Sequence, residues 1–216
     1  MVRFLWWMTA GMLTAFIAGA GSAPSLSATT LPATPEPASC SVAPRSLAEV
    51  RELVGSRSSE QRSVELVVPR SLPTGLPADA ATVGAITDAV YQLIACGNTG
   101  DPLRLLALYS DGALRQMGPL DNEWFSGLTT PAAQPDERWV TLIAVWDVQV
   151  LPDGRVAALV LEGNRQDTHP APGRTGMLLF VQDEDQWLFD EFIETVATHE
   201  GLVAVADLVG TPVPET

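Results

Sequence analysis

Two cysteines, two histidines and a scatter of carboxylates are the groups through which this chain of 216 residues could do chemistry. His169 sits in a Thr-His-Pro loop and His199 near the C-terminus, far from each other and from both cysteines. A zinc finger or multi-histidine metal site needs more ligands than these. No motif supports a Ser-His-Asp or Cys-His nucleophile, and neither histidine has the apolar surroundings that shape a general base. Asp147 is the most informative carboxylate, because it interrupts an apolar run between Trp146 and Val148. Strict alternation would put Thr141, Ile143, Val145 and Asp147 on one strand face and Leu142, Ala144 and Trp146 on the other. Either face could be the solvated one. Glu191 and Glu194 lie beside Asp183, Glu184, Asp185 and Asp190, which read together as a solvated acidic edge. The 183–185 triplet lacks the glycine and the ligand spacing of a calcium loop. No metal and no cofactor is expected.

The elements that must position these groups begin after a leader-like start. Arg3 is followed by an apolar run over 4–20 and a small-residue stretch ending at Ala23. That is the layout of a secretory signal peptide over 1–23, with cleavage after Ala20 or Ala23. The run also approaches spanning length, so an uncleaved N-terminal membrane anchor is the second outcome, and no later segment is expected to cross a membrane. Residues 24–39, rich in Pro, Ser, Ala and Thr, read as a disordered linker. Residues 40–76 read as an arm with a short helix over 46–54 and a strand candidate over 64–68. The main domain is expected over 77–198 and a tail over 199–216. In an oxidising compartment an even cysteine pair favours a Cys40–Cys96 disulfide, which would staple the arm to the domain. The 26 acidic against 12 basic residues give a formal charge of −14, which disfavours nucleic acid and anionic membranes as partners.

Within the main domain, Asp79 is a good N-cap for a helix whose apolar stripe runs through Val83, Ile86, Val90, Leu93, Ile94 and Gly97, with Tyr91 at its border. Asp101-Pro102 starts a second helix, and a last turn follows over 113–117. A loop is expected over 118–138. Strands follow over 139–151 and 156–161, joined by Pro152-Asp-Gly154, and then over 177–181 and 187–194 around an acidic turn. Helices first and antiparallel strands afterwards predict an α+β fold.

Two stretches carry a family resemblance. The first is 86–115, with Ala95-Cys-Gly-Asn-Thr-Gly-Asp101 followed by Leu103-Arg-Leu-Leu-Ala-Leu-Tyr-Ser-Asp111. The second is the strand set Arg155-Val-Ala-Ala-Leu-Val, Met177-Leu-Leu-Phe-Val and Gln186-Trp-Leu-Phe-Asp190. In order and spacing these resemble the nuclear transport factor 2-like, or SnoaL-like, superfamily over about 79–196. The resemblance implies N-terminal helices packed in a strongly curved antiparallel sheet, a cystatin-like cone with a pocket between them. The family's enzymes use a carboxylate or histidine inside the cone, assisted by a tyrosine, which makes Tyr91, Tyr109, Asp111, Asp147 and Glu191 the residues to consider here. Asp111, in Ser-Asp-Gly, reads first as a cap or turn residue, and Tyr109 as a core ring. Trp139, Trp146 and Trp187 read as core, with Trp139, Trp146 and Tyr91 as a ligand-pocket wall in the second reading. The expected function is a non-catalytic exported module that binds a small apolar ligand or forms a homodimer through its sheet face. The alternative is a cofactor-free isomerase, dehydratase or hydrolase.

Overall fold

The computed structural model describes residues 29–55, 72–118, 120, 122–164, 174–198 and 201–204. The leader-like segment, the 64–68 strand candidate and both histidines lie outside them. Among these residues, seven strands and five α-helices form an α+β fold: β1 Thr29–Ala33, α1 Leu47–Gly55, β2 Leu76–Pro77, α2 Ala80–Asn98, α3 Pro102–Leu106, α4 Asp111–Gln116, α5 Asn122–Leu128, β3 Val140–Val150, β4 Val156–Asn164, β5 Arg174–Asp183, β6 Gln186–Thr198 and β7 Gly201–Ala204. The sheet order is β1-β3-β4-β5-β6-β7, with β2 also paired to β3, and every pairing is antiparallel.

The helices start where side-chain oxygens meet their free amides. Asp79 accepts from Thr82 N at 2.7 Å, Asp101 from Leu103 N at 3.1 Å, and Ser110 from Ala113 N at 2.9 Å. Ser46 and Glu49 form a reciprocal capping box on α1, with Glu49 N donating to Ser46 Oγ and Ser46 N to Glu49 Oε2. α2 has the length and composition of a membrane span, contrary to the sequence expectation. Its fully buried Ile86 and Val90 nevertheless pack with Leu142, Val145, Val156 and Phe180 of the sheet, the position of a core helix.

Several expectations need correction. Part of the 24–39 segment is ordered: β1 pairs with β3, because β3 would otherwise present an unsatisfied edge. A short 3-10 turn over Pro37–Ser39 leads on to Cys40. The expected 118–138 loop contains α5, whose Phe125 and Leu128 are buried with Val50, Val54, Leu106 and Leu114 in a second, helical core. β3 does not alternate strictly. Its register shifts between Leu142 and Ala144 and again between Trp146 and Gln149, so the residues buried against α2 are Leu142, Val145 and Val148. Trp146 packs instead with Leu159, Met177, Leu179 and Ile193 on the opposite face.

The disulfide is present: Cys40 and Cys96 are bonded, with Cα atoms 4.8 Å apart. Polar contacts reinforce this staple, since Gln92 Nε2 donates to Ser39 O and Asn98 Nδ2 to Pro35 O.

Candidate functional site

α2, α3 and the inner face of the sheet line an open cavity of about 360 Å³. The helices contribute Val90, Leu93, Ile94 and Leu105, and the sheet contributes Val160, Leu178 and Phe192. Tyr109 reaches it because its segment is sewn to β6: Phe189 N donates to Leu108 O and Ser110 N to Phe189 O, both at 2.8 Å. The Tyr109 ring lies 4.6 Å from that of Phe189, centroid to centroid. This register is held from the side. The β5–β6 pairing slips at Leu179/Phe180, which leaves Asp190 as the extra residue of a bulge. Its carboxylate accepts from Ser110 Oγ at 2.6 Å and from Arg155 Nη1 at 3.1 Å. Phe192 lies over Gly176, where any Cβ would intrude on its ring. Glycine at 176 is therefore what lets that wall stand.

The polar groups in the cavity wall are Asn98, Tyr109 and Glu162. Asn98 is fully committed to structure. Its Nδ2 donates to Pro35 O and Val140 O, and its Oδ1 accepts from Val140 N at 2.8 Å. Tyr109 is mostly buried, and burial pushes its phenol above the usual tyrosine range. Among the described residues its hydroxyl has no hydrogen-bond partner. Glu162 continues the inward-facing series Val156, Ala158, Val160 along β4. The sequence reading missed it by ending that strand at Leu161. The available signal was the same period of two, carried one residue further.

A second depression, of about 670 Å³, lies between the α2–α3 connection and the segment after α5, and shares Gly97 and Leu105 with the first. A Cβ at Gly97 would meet nothing within 4 Å.

The structure places the sequence candidates elsewhere, Tyr109 excepted. Asp147 occupies the second bulge of β3 with φ 49°, a left-handed conformation that aspartate tolerates better than most residues, and accepts from Gln149 Nε2 at 2.7 Å. Gln149 in turn accepts from Gly75 N, which docks β2. Tyr91 Oη lies 3.5 Å from Ser39 Oγ, on the side of α2 that holds the arm. Glu191 accepts from Arg155 Nη1 at 2.9 Å. Burial works against the Arg155 charge, but Glu191, Asp153 and Asp190 outweigh it and hold the guanidinium above its ordinary pKa. Asp111 pairs with Arg45 at 2.8 Å and with Arg115 at 3.4 Å. Trp139 donates from Nε1 to Gln134 O. None of Tyr91, Asp147, Glu191, Trp139 or Trp146 lines either cavity. Among the described residues no group of three potential metal ligands converges. No protein-family model matches this chain, and neither a curated protein nor a solved structure was found to match it.

Proposed function

We propose that the chain is an exported domain of the nuclear transport factor 2-like, or SnoaL-like, architecture, its helices held in a cone-shaped, cystatin-like sheet, and that it binds one small, largely apolar ligand without transforming it. The observation that carries this reading is the cavity between α2, α3 and the sheet, apolar on most of its wall. The bulges in β3 and β6 favour a curved sheet, because an extra residue on one strand bends it and sharpens its twist. The disulfide and the leader-like N-terminus favour export. Ligand binding is preferred over a dimer through the outer sheet face, because Leu159, Met177, Leu179 and Ile193 of that face are already buried in the single chain. An acid-base enzyme is the second reading, favoured by the carboxylate of Glu162 and the phenol of Tyr109 lining one cavity.

The test is fluorescence titration with N-phenyl-1-naphthylamine, an uncharged apolar probe, together with native mass spectrometry of the unreduced protein. The expected result is saturable binding of one probe per chain. It should be abolished by Gly97→Leu, whose side chain enters open space at the cavity wall. Absent binding, or binding indifferent to Gly97→Leu in a folded variant, would overturn the proposal.

A further inference from the structure

Resting on that reading of the cavity, we infer that the ligand is a single-chain amphiphile with an uncharged, hydroxyl-rich head group, as in an alkyl glycoside. Its chain occupies the apolar cavity and its head lies in the second depression. The two spaces meet at α2 and α3, where Gly97 and Leu105 line both of them. A Cβ at Gly97 would meet nothing within 4 Å, so this residue puts no side chain between them and leaves room for a ligand to pass.

The depression is a built trough. Gly100 has φ 69°, and Ala132 O sits where a Cβ at that position would stand, so the turn requires glycine. Ala132 N donates to Gly100 O at 3.2 Å, which ties the segment after α5 to the α2–α3 connection. Trp139 Nε1 donates to Gln134 O at 3.1 Å and braces the same segment against the residue preceding β3. The trough presents donors and acceptors together: the Arg138 guanidinium, the Thr130 hydroxyl, the Gln134 amide and the Asp101 carboxylate. Asp101 Oδ1 accepts from Leu103 N and Arg104 N, and Oδ2 lies 3.4 Å from Arg104 Nε. Those contacts orient the carboxylate, whose side chain stays 22% exposed and keeps capacity to accept from a ligand. Gln134 Nε2 reaches Gly97 O only at 3.5 Å, a long bond that a head-group hydroxyl can replace. A hydroxyl suits this wall because it donates to a carboxylate and accepts from a guanidinium. A carboxylate head would meet a like charge in Asp101, and an ammonium head in Arg138.

Octyl β-glucoside and octanol share one chain and differ in the head group. Each is competed against N-phenyl-1-naphthylamine bound to the protein, with the glucoside kept below its micelle-forming concentration. The glucoside should bind about tenfold tighter than octanol, the gain from about two net hydrogen bonds. Two variants act on the depression alone, because Gly127 and Arg138 line it and do not line the apolar cavity. Gly127→Trp adds a ring where a Cβ would meet nothing within 4 Å, and Arg138→Gln removes the guanidinium. Each should bring the glucoside within about threefold of octanol. Unchanged octanol affinity would show that the variant is folded with its apolar cavity intact. Equal binding of glucoside and octanol by the parent protein, or a glucoside advantage that survives both variants, would overturn the inference while leaving the apolar pocket standing. Failure of the naphthylamine to bind the parent protein would overturn both.

Discussion

Removing the Cys40–Cys96 bond leaves the folded state almost unchanged and acts on the unfolded one. The two residues are separated by 56 positions. Closing a loop of that length removes chain entropy worth about 4 kcal/mol at 25 °C. The arm should stay docked without the bond. Gln92 still holds Ser39 and Ser41, Asn98 holds Pro35, Arg45 N donates to Leu103 O, and the Arg45 guanidinium pairs with Asp111. Two perturbations separate entropy from packing. Reduction leaves both sulfur atoms in place, whereas the double variant Cys40→Ala/Cys96→Ala removes them from a buried cluster with Ala95 and Leu108. With a urea m-value of about 2 kcal/mol/M for a domain of this size, each should lower the unfolding midpoint by about 2 M. The alanine variant should fall slightly further because of its lost packing. Circular dichroism without denaturant should be unaltered in both. A midpoint shift below about 0.5 M on reduction, equivalent to about 1 kcal/mol, would refute the loop-entropy account. Loss of the folded signal on reduction would instead show that the bond holds the native arm in place.

At alkaline pH the side chains left to titrate are the two tyrosines, because the chain has no lysine, both cysteines are bonded, and arginine keeps its proton, and Tyr109→Phe isolates the buried one. Burial raises the folded-state pKa of this phenol, so the folded protein holds its proton where the unfolded chain has lost it. Stability is therefore full below the unfolded tyrosine value of about 10 and falls as pH rises through the folded one. Urea midpoints across that range should decline for the parent and stay flatter for Tyr109→Phe, and parallel declines would sink the assignment. Ser110→Ala should cost about 2 kcal/mol, because it removes both the α4 cap and the bond to the Asp190 carboxylate. Thermal or urea unfolding measures it, and a cost under about 0.5 kcal/mol would show that the bulge is held by Arg155 alone.

The parts of the fold that were legible in the sequence are local ones. Asp79, Asp101-Pro102 and the 3.6-residue stripe of α2 announce helix starts and a buried face with residues close in sequence, and the structure follows them. α5 escaped notice because seven residues form a helix mainly through tertiary burial, here of Phe125 and Leu128 against α1 and α4. The cavity is harder still, since its wall draws on α2, α3, Tyr109 and four strands that meet only in the folded chain.

The carboxylates on strands β3 and β4, one on each, show what decides such cases. Asp147 looked functional because it broke an apolar strand, yet its backbone is left-handed and its oxygen holds Gln149, which docks β2. Glu162 looked like the start of a loop, yet β4 runs on to Asn164 and carries it inward beside Val160. An acid within an apolar run thus has two physical origins, a bulge that needs a short polar side chain or an inward position that a ligand can use. Hydrophobicity cannot separate them. The pairing register does, because two residues opposite one on the partner strand mark the bulge, whereas an unbroken ladder keeps every second residue on the same face.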